Sequence, residues 1–95
     1  MHFEEFAIHR AVARGDLKAV TEILTADPNV CFGKPCIRGT RIWVSLILDN
    51  LADGMTEAEL LAAYPQLQVA DLRAAMAYGA EASRGRVVDL EPLPA

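Results

Sequence analysis

Long apolar runs are absent from this sequence. Although 53% of the residues are hydrophobic, no stretch approaches the roughly 18 to 20 consecutive apolar residues that a membrane-spanning helix requires. The opening, MHFEEFAIHR, carries acidic residues where a secretion signal carries basic ones. We therefore expect a cytoplasmic protein that makes no contact with a membrane.

Cysteine is nearly absent, with only Cys31 and Cys36 in the chain. Disulfides rarely persist in the cytosol, so we expect no structural disulfide. The C-x4-C spacing also lacks the paired C-x2-C or H-x3-H groups of a zinc site, and His2 and His9 lie far upstream. We expect neither a metal nor another cofactor, and Cys36 is predicted to be a small buried apolar residue. A thiol-dependent redox or metal protein is nevertheless one of the functional classes to be tested.

The sequence shows no combination of residues suited to catalysis. No nucleophile, base and orienting acid occur together, and no phosphate-binding glycine loop precedes a predicted helix. His9 is predicted to be a surface or half-buried side chain rather than a general base. We therefore expect a binding module and not an enzyme.

Basic residues are outnumbered, with 9 Lys and Arg against 13 Asp and Glu and a net charge of −4. This balance argues against a general binder of polyanions. The distribution is uneven, because residues 30–43 contain three basic residues and no acidic one. Residues 44–82 contain six acidic residues and one basic residue, Arg73. The short basic segment is therefore the part of the chain best suited to meet an anionic group.

The 95 residues allow one domain. Apolar spacing predicts an amphipathic helix over residues 3–14. Residues 17–25 fit either a short helix or a strand. Prolines and glycines divide residues 27–41, which predicts a rigid loop with short, hairpin-like strands. Because small domains leave apolar surface uncovered, we also expect a homodimer.

Three helices are predicted in the second half of the chain, over residues 43–52, 57–64 and 69–82. Thr56 and Glu59 form the T-x-x-E pattern of a capping box, and Met55 and Leu60 are placed to form a hydrophobic staple. Only about four residues connect the last two helices, which is typical of a helix-turn-helix unit. The final segment, RGRVVDLEPLPA, is predicted to be an arm without a fixed helix.

Two segments of the chain carry recognisable motifs, DPNVCFGKPCIRGTRI and LILDNLADGMTEAELLAAYPQLQVADLRAAMAYGAE. Both resemble the domain of unknown function 433 family, whose members resemble antitoxins of the VapB type. The first segment matches the family signature at Gly33, Lys34, Pro35, Ile37, Gly39, Thr40, Arg41 and Ile42. Two positions depart from the family pattern: Trp43 stands where proline is usual, and Gln68 where a Ser or Thr cap is usual. We therefore expect the last helix to begin less firmly.

The resemblance implies a mainly α fold, with a three-helix, homeodomain-like helix-turn-helix core preceded by short β strands. The N-terminal helix that precedes this core is predicted from apolar spacing alone, because residues 1–26 lie largely outside the resemblance. The resemblance divides the chain into an N-terminal extension over residues 1–26, an antitoxin-like domain over 27–83 and a C-terminal arm over 84–95. It further implies a module that binds and neutralises a PIN-like nuclease toxin, with operator DNA as a further partner if it also regulates its own operon. The alternative is a stand-alone DNA-binding transcriptional regulator.

The candidate binding residues are Lys34, Arg38, Thr40 and Arg41 in the basic loop and Arg73 in the last helix. The loop residues suit a carboxylate-lined nuclease site or phosphate. In the alternative interpretation, Arg38 and Arg41 pair with acidic helices of this same chain.

The last helix is predicted to bind DNA bases poorly, because Arg73 is the one basic residue among its predicted outward residues. Those residues are Ala70, Asp71, Arg73, Ala74, Ala77, Tyr78 and Glu81. Its alanines either form a self-association or partner face or simply reflect helix propensity. The alanines concerned are Ala74, Ala75, Ala77 and Ala80.

Overall fold

A computed structural model describes residue 12 and residues 16–93. This part of the chain is mainly helical, with four helices and a two-stranded sheet. The α-helices and β-strands in chain order are α1 (Leu17–Ile23), β1 (Leu24–Thr25), β2 (Cys36–Ile37), α2 (Val44–Ala52), α3 (Glu57–Ala63) and α4 (Val69–Ser83), and a short 3-10 turn (Cys31–Gly33) lies between β1 and β2. The helix predicted over residues 3–14 lies outside the described residues, apart from the buried Val12. None of the described helices is long and apolar enough to cross a membrane.

Residues 17–25, for which the sequence allows either a helix or a strand, contain both. Asp16 caps α1, because its carboxylate accepts hydrogen bonds from the backbone N–H groups of Lys18 at 2.9 Å and Ala19 at 3.4 Å. The helix ends at Ile23, and the chain continues directly into β1. The helical and extended predictions are therefore each correct for part of the segment.

The loop region contains short strands, as predicted. β1 pairs with β2 in antiparallel register, with Thr25 opposite Cys36. Trp43 forms a further antiparallel bridge to Cys36. The strand β2 consequently runs between two extended segments, and a long loop over residues 26–35 connects it to β1.

The three predicted helices of the second half are confirmed as α2, α3 and α4. The capping box of α3 is complete: the Glu59 N–H donates to the Thr56 hydroxyl at 3.1 Å, and the Thr56 N–H donates to the Glu59 carboxylate at 3.0 Å. At the start of α4 the Gln68 N–H donates to the Asp71 carboxylate at 2.8 Å. The Gln68 side chain makes no capping hydrogen bond in return. The last helix therefore begins with half of a capping box.

α4 is the central element of the core, since it packs against α1, α2, α3 and β1. Its residues Leu72, Ala74 and Ala75 are fully buried. The prediction that Ala74 points outward is therefore wrong. Neighbours on several sides bury more of α4 than the single stripe that helical spacing predicts, and two alanines of the predicted partner face lie inside the chain's own core.

The C-terminal segment has no regular secondary structure over residues 86–93, as predicted for an arm. It nevertheless lies on the core. The Thr25 hydroxyl donates to the Glu91 carbonyl at 2.7 Å, and the Leu93 N–H donates to the Asp27 carboxylate at 2.9 Å. These bonds satisfy two buried polar side chains, so the segment completes the edge of the sheet beside β1.

Candidate functional site

Three consecutive residues of the basic loop have left-handed backbone conformations. The φ angles are 53° at Cys31, 57° at Phe32 and 76° at Gly33. Glycine adopts this conformation freely, whereas the left-handed conformation costs each residue with a side chain about 1 to 2 kcal/mol. A substantial local strain is therefore held between residues 31 and 33.

Hydrogen bonds from the loop's own backbone hold this turn. The Gly33 N–H donates to the Asp27 carbonyl at 3.0 Å, and the Lys34 N–H donates to the Cys31 carbonyl at 3.0 Å. The Asp27 carboxylate accepts a further bond from the Asn29 N–H at 2.8 Å. Asp27 and Cys31 are both buried, so the base of the turn is anchored while its tip faces solvent.

Phe32 is at that tip, and its side chain is 88% exposed. Burying a phenylalanine stabilises a protein by about 1.5 to 3 kcal/mol, and this chain obtains almost none of that gain. The residue also occupies a strained backbone position. Residues that a fold holds in strained conformations are concentrated at binding and catalytic sites. Phe32 is the described residue that best fits this pattern.

A surface cavity of about 260 Å³ lies beside Phe32. Its lining residues are Pro28, Asn29, Cys31, Phe32, Arg41 and Trp43. These residues, with the adjacent exposed Lys34, are called the Phe32 surface below. Aromatic side chains and arginine are the residue types that contribute most to protein interfaces. The composition is that of a binding surface.

The extended segment that ends at Trp43 presents Arg41 and Trp43 to this surface. Ile42 between them is buried, and its carbonyl accepts a hydrogen bond from the Ile37 N–H at 3.0 Å. Because side chains alternate along an extended segment, Arg41 and Trp43 share the opposite side from Ile42. Arg41 is exposed and Trp43 is half-buried.

Arg38, a predicted binding residue, is used inside the molecule. Its Nε donates to the Glu22 carbonyl at 3.2 Å and its Nη2 donates to the Leu24 carbonyl at 3.3 Å. These carbonyls end α1, where a positive charge is favourable. Arg38 is therefore bound within its own chain, as the alternative interpretation predicts. Its partners, however, are backbone carbonyls rather than acidic side chains.

Thr40 has a structural position as well. Its hydroxyl donates to the Ile37 carbonyl at 2.9 Å and accepts from the Ile42 N–H at 3.0 Å. Both interactions stabilise the turn between β2 and the extended segment that carries Arg41. Thr40 therefore orients Arg41, while Lys34 and Arg41 are the two predicted loop residues that extend into solvent.

Arg73 lies apart from these residues. Its guanidinium forms an ion pair of 3.4 Å with Glu57, which links α4 to α3. Both side chains are substantially exposed, so the pair stabilises the fold by about 1 kcal/mol at most. The predicted residues thus lie in three places. Lys34 and Arg41 belong to the Phe32 surface, and Arg38 and Thr40 stabilise the loop from within. Arg73 forms a distant ion pair.

Neither Phe32 nor Trp43 is among the binding residues predicted from the sequence. The available signal for Phe32 was a large aromatic residue immediately before a glycine in a loop rich in turn residues. In the sequence, Trp43 stands out only as a departure from the family pattern. Their exposure depends on the tertiary fold, which periodicity does not reveal.

The two cysteines lie at the inner side of the Phe32 surface. Both are free and buried, and the thiol of Cys36 donates to the Thr40 carbonyl at 3.8 Å. Burial, together with the neighbouring Cys31 thiol, raises the pKa of Cys36 to about 11. Cys36 is thus a protonated, buried thiol at neutral pH, in agreement with the prediction of a buried apolar residue.

Comparison with known proteins connects this fold to an established family. The family described as protein of unknown function (DUF433) matches residues 24–79. The uncharacterized protein y4eO of Sinorhizobium fredii (strain NBRC 101917 / NGR234) is 40% identical over 73 residues, which are 75% of this chain and 33% of that protein. The chain therefore spans about a third of the length of this relative.

A solved structure shows the same fold. The crystal structure of a DUF433 member protein from Anabaena variabilis aligns with a TM-score of 0.64 and 33% sequence identity, covering 77% of this chain and 72% of that one. The matched residues include the loop that carries Phe32 and all of α2 and α3. The chain belongs to the DUF433 family.

Proposed function

We propose that this protein is an antitoxin-like module that binds and neutralises a PIN-like ribonuclease in the cytoplasm. The observation that carries the proposal is Phe32, which is 88% exposed on a left-handed backbone beside Arg41 and Trp43. A partner pocket that covers the phenyl ring would recover the burial energy that the isolated fold lacks. The resemblance to VapB-type antitoxins supplies the class of partner.

Charge complementarity supports a nuclease as the partner. PIN-like nucleases hold divalent metal with clustered aspartates, which form an anionic surface. Arg41 and Lys34 extend into solvent from a segment without acidic residues, although the whole chain carries −4. A guanidinium can bind a carboxylate through two parallel hydrogen bonds. Arg41 is therefore suited to the partner's acidic groups, with Phe32 as the apolar anchor beside it.

Co-expression with the product of the adjacent gene tests the proposal. The wild-type protein is expected to co-purify with that product and to relieve the growth arrest it causes. Phe32→Gly and Arg41→Glu are each expected to abolish both effects. Arg84→Ala is the matched control, because Arg84 is an exposed arginine far along the chain that pairs with Glu81. Rescue by Phe32→Gly as strong as by the wild type would contradict the proposal.

A DNA-binding regulator is the second candidate, favoured by α3 and α4 following each other through a short connection over residues 64–68. In this case Arg41 would contact phosphate, either in a stand-alone regulator or in a homodimeric antitoxin that represses its own operon. Arg41→Ala would then reduce the salt dependence of binding to the protein's own promoter. Arg38→Ala would destabilise the fold without that specific change, since Arg38 is bound to α1. The absence of a promoter complex at low salt would exclude this candidate.

A further inference from the structure

Residues 41–43 form one outer edge of the sheet. Trp43 lies opposite Cys36 in an antiparallel bridge, and the hydrogen bonds of this bridge are made by the neighbouring residues, such as the Ile37 N–H that donates to the Ile42 carbonyl at 3.0 Å. A residue in a pair of this kind turns its own N–H and C=O away from the strand opposite it. The backbone groups of Trp43 therefore point away from β2.

This edge has backbone groups that the described residues do not satisfy. The Trp43 carbonyl accepts from the Leu46 N–H at 3.1 Å at the start of α2. The Trp43 N–H and both backbone groups of Arg41, in contrast, form no hydrogen bond with the described part of the chain. Edge strands with free donors and acceptors pair with added extended segments. The edge is therefore suited to strand addition beside the cavity that Arg41 and Trp43 line.

Residues 87–89 of the C-terminal segment offer a strand for such an addition. Their backbone forms no hydrogen bond with the other residues that the structure describes. Val87 is 87% exposed, Val88 is half-buried and Asp89 is exposed. This alternation is typical of an extended backbone and places Val87 and Asp89 on the same outward side.

Contacts on both sides hold this short segment in place. Arg86 precedes it and forms an ion pair of 3.2 Å with Glu81 of α4. Glu91 follows it, and its carbonyl accepts from the Thr25 hydroxyl of β1 at 2.7 Å. Because the ends are already fixed, the segment loses little conformational freedom when it pairs with another chain.

The segment and the edge match in spacing. If Val87 lies opposite Trp43 in antiparallel register, Asp89 lies opposite Arg41, since the two strands run in opposite directions. Side chains of opposite residues share one face of a sheet. Val87 would then meet the cavity of about 260 Å³ beside Phe32, and the Asp89 carboxylate would meet the Arg41 guanidinium.

The segment and the edge also match in charge. Residues 30–43 contain three basic residues and no acidic one, whereas residues 87–91 contain two acidic residues and no basic one. The Arg41 guanidinium forms no ion pair with the described residues. A carboxylate can bind it through two parallel hydrogen bonds.

One copy of the chain cannot make this pairing with itself. The C-terminal segment is bonded beside β1, because the Glu91 carbonyl accepts from the Ala26 N–H at 3.4 Å as well as from Thr25. Residues 41–43 lie on the far side of β2, which pairs with β1. The segment and the edge are therefore at opposite edges of the same small sheet, and the pairing requires a second copy.

We propose that this protein self-associates by strand addition, in which residues 87–89 of one copy pair in antiparallel register with residues 41–43 of a second copy. The Trp43 N–H donates to the Val87 carbonyl, and Arg41 exchanges two backbone hydrogen bonds with Asp89. The Arg41 guanidinium binds the Asp89 carboxylate, and Val87 enters the cavity beside Phe32. The contact covers Val87 and Phe32, the two most exposed large hydrophobic residues in the described part of the chain.

The contact is head-to-tail, because each copy carries both an edge and a segment. It is also small, so we expect a dissociation constant on the order of 0.1 to 1 mM. The chain is accordingly monomeric in micromolar solutions, and substitutions at Val87 and Asp89 then leave its stability and its binding to other proteins unchanged.

Sedimentation equilibrium below and above this concentration range tests the proposal. The average mass of the wild type is expected to rise with concentration, whereas Arg41→Glu and Asp89→Arg alone are each expected to remain monomeric because like charges then meet. An equimolar mixture of these two variants is expected to associate again, since each reversed charge faces an opposite one. Asp53→Arg is the matched control, because it makes the same change of charge at an exposed position in another part of the chain.

Three results would each overturn the proposal. The first is a wild type that stays monomeric over the whole range. The second is a mixture of Arg41→Glu and Asp89→Arg that does not associate. The third is an Asp53→Arg protein that associates as poorly as Asp89→Arg, because a general effect of charge would then explain the loss.

A peptide tests the register. A peptide blocked at both ends with the sequence of residues 86–90, RVVDL, is expected to shift the Trp43 amide resonance of the wild type and to slow its hydrogen exchange. The permuted peptide RVDVL is expected to bind about tenfold more weakly, because its carboxylate lies on the other face of the strand. Equal binding of the two peptides, or equal binding of RVVDL to Arg41→Glu, contradicts the assigned register.

Self-association and nuclease binding exclude each other if both use Arg41 and Phe32, a consequence that rests on the proposed function. The RVVDL peptide is therefore expected to displace the nuclease, and displacement by RVDVL at the same concentration would contradict this exclusion. If no nuclease binds, the proposed function fails, while sedimentation and the peptide still decide whether the chain self-associates.

Discussion

The carboxylate of Asp27 accepts a hydrogen bond of 2.9 Å from the backbone N–H of Leu93, although the two residues are 66 positions apart. Its other oxygen accepts from the Asn29 N–H at 2.8 Å, at the start of the loop that carries Phe32. Asp27 is only 8% exposed. One buried carboxylate thus connects the loop that carries Phe32 to the C-terminal segment.

Asp27→Ala is expected to reduce the free energy of unfolding by about 1 to 3 kcal/mol, because two backbone N–H groups lose their acceptor. Urea denaturation measures the loss, and amide exchange of Asn29 and Leu93 locates it. Asp89→Ala, at an exposed position in the same segment, serves as the control and should change stability by less than about 0.5 kcal/mol. Unchanged exchange at Leu93 in the Asp27 variant would refute the connection.

Phe32→Gly is expected to stabilise the fold while it abolishes partner binding. Glycine relieves the left-handed strain at this position, and the exposed phenyl ring contributes little packing. The expected gain is about 1 kcal/mol in urea denaturation. Val87→Ala, at a position that is 87% exposed, is the matched control and should affect neither property. A loss of stability in Phe32→Gly would show that the ring supports the fold instead.

Gln68→Ser is expected to complete the capping box of α4 and to stabilise the protein by about 1 kcal/mol. The serine hydroxyl can accept from the Asp71 N–H, while the Asp71 carboxylate already accepts from residue 68. Thr56→Ala is the complementary variant, since it removes one half of the complete box of α3 and should destabilise by a similar amount. Thermal unfolding of both variants compares the two caps, and a destabilised Gln68→Ser protein would contradict this interpretation.

Gly79→Ala is expected to stabilise α4 by up to about 1 kcal/mol, the difference in helix propensity. An added Cβ would lie 3.1 Å from Cδ1 of Leu48 in α2, which is the flexible end of a half-buried side chain. A shift of a few tenths of an ångström relieves this contact. In a Leu48→Ala background the same substitution should give the full gain, and a clear loss of stability in both backgrounds would contradict the expectation.

The charge on Asp71 is expected to reduce stability at neutral pH. Burial raises the pKa of Asp71 above its ordinary value of 3.8, although the hydrogen bond from the Gln68 backbone opposes the shift. Because the pKa of Asp71 is raised in the folded state, its contribution to stability is fully present below pH 3.8. This contribution is lost as the pH rises through the pKa of the folded state. Asp71→Asn should therefore be more stable than the wild type at pH 7, and the difference should shrink at about pH 3.

Glu59 provides a control of opposite sign for that experiment. Hydrogen bonds from Thr56 lower the pKa of Glu59 below its ordinary value of 4.5. Its contribution to stability is therefore present above pH 4.5 and is lost as pH falls through the folded value. Glu59→Gln should be less stable than the wild type at neutral pH. If both variants respond to pH with the same sign, the assignment of Asp71 is wrong.

Much of the fold was predictable because its signals are local. The apolar spacing of α2, α3 and α4 predicts these helices, and the capping box between Thr56 and Glu59 acts over a single turn. The short strands after α1 follow from the same local patterns of glycine and proline. Sequence spacing could not show that α4 has neighbours on several sides, which is why the position of Ala74 was predicted incorrectly.

The candidate site was predictable only in part. The basic loop was recognised from its charge, but Arg38 and Arg41 look equivalent in the sequence. Their different positions arise because the pairing of β1 with β2 brings Arg38 to the end of α1 and leaves Arg41 beside Phe32. The register of β1 and β2 therefore determines which of the two arginines stays exposed to solvent.

The sequence by itself determined the helices, their caps and the position of the rigid loop, because each depends on residues within a few positions of one another. The tertiary structure alone decided that Phe32 is exposed and that the C-terminal segment closes on Asp27. These features require contacts between segments far apart in the chain. Such contacts form only after the core has packed, so no local pattern of residues encodes them.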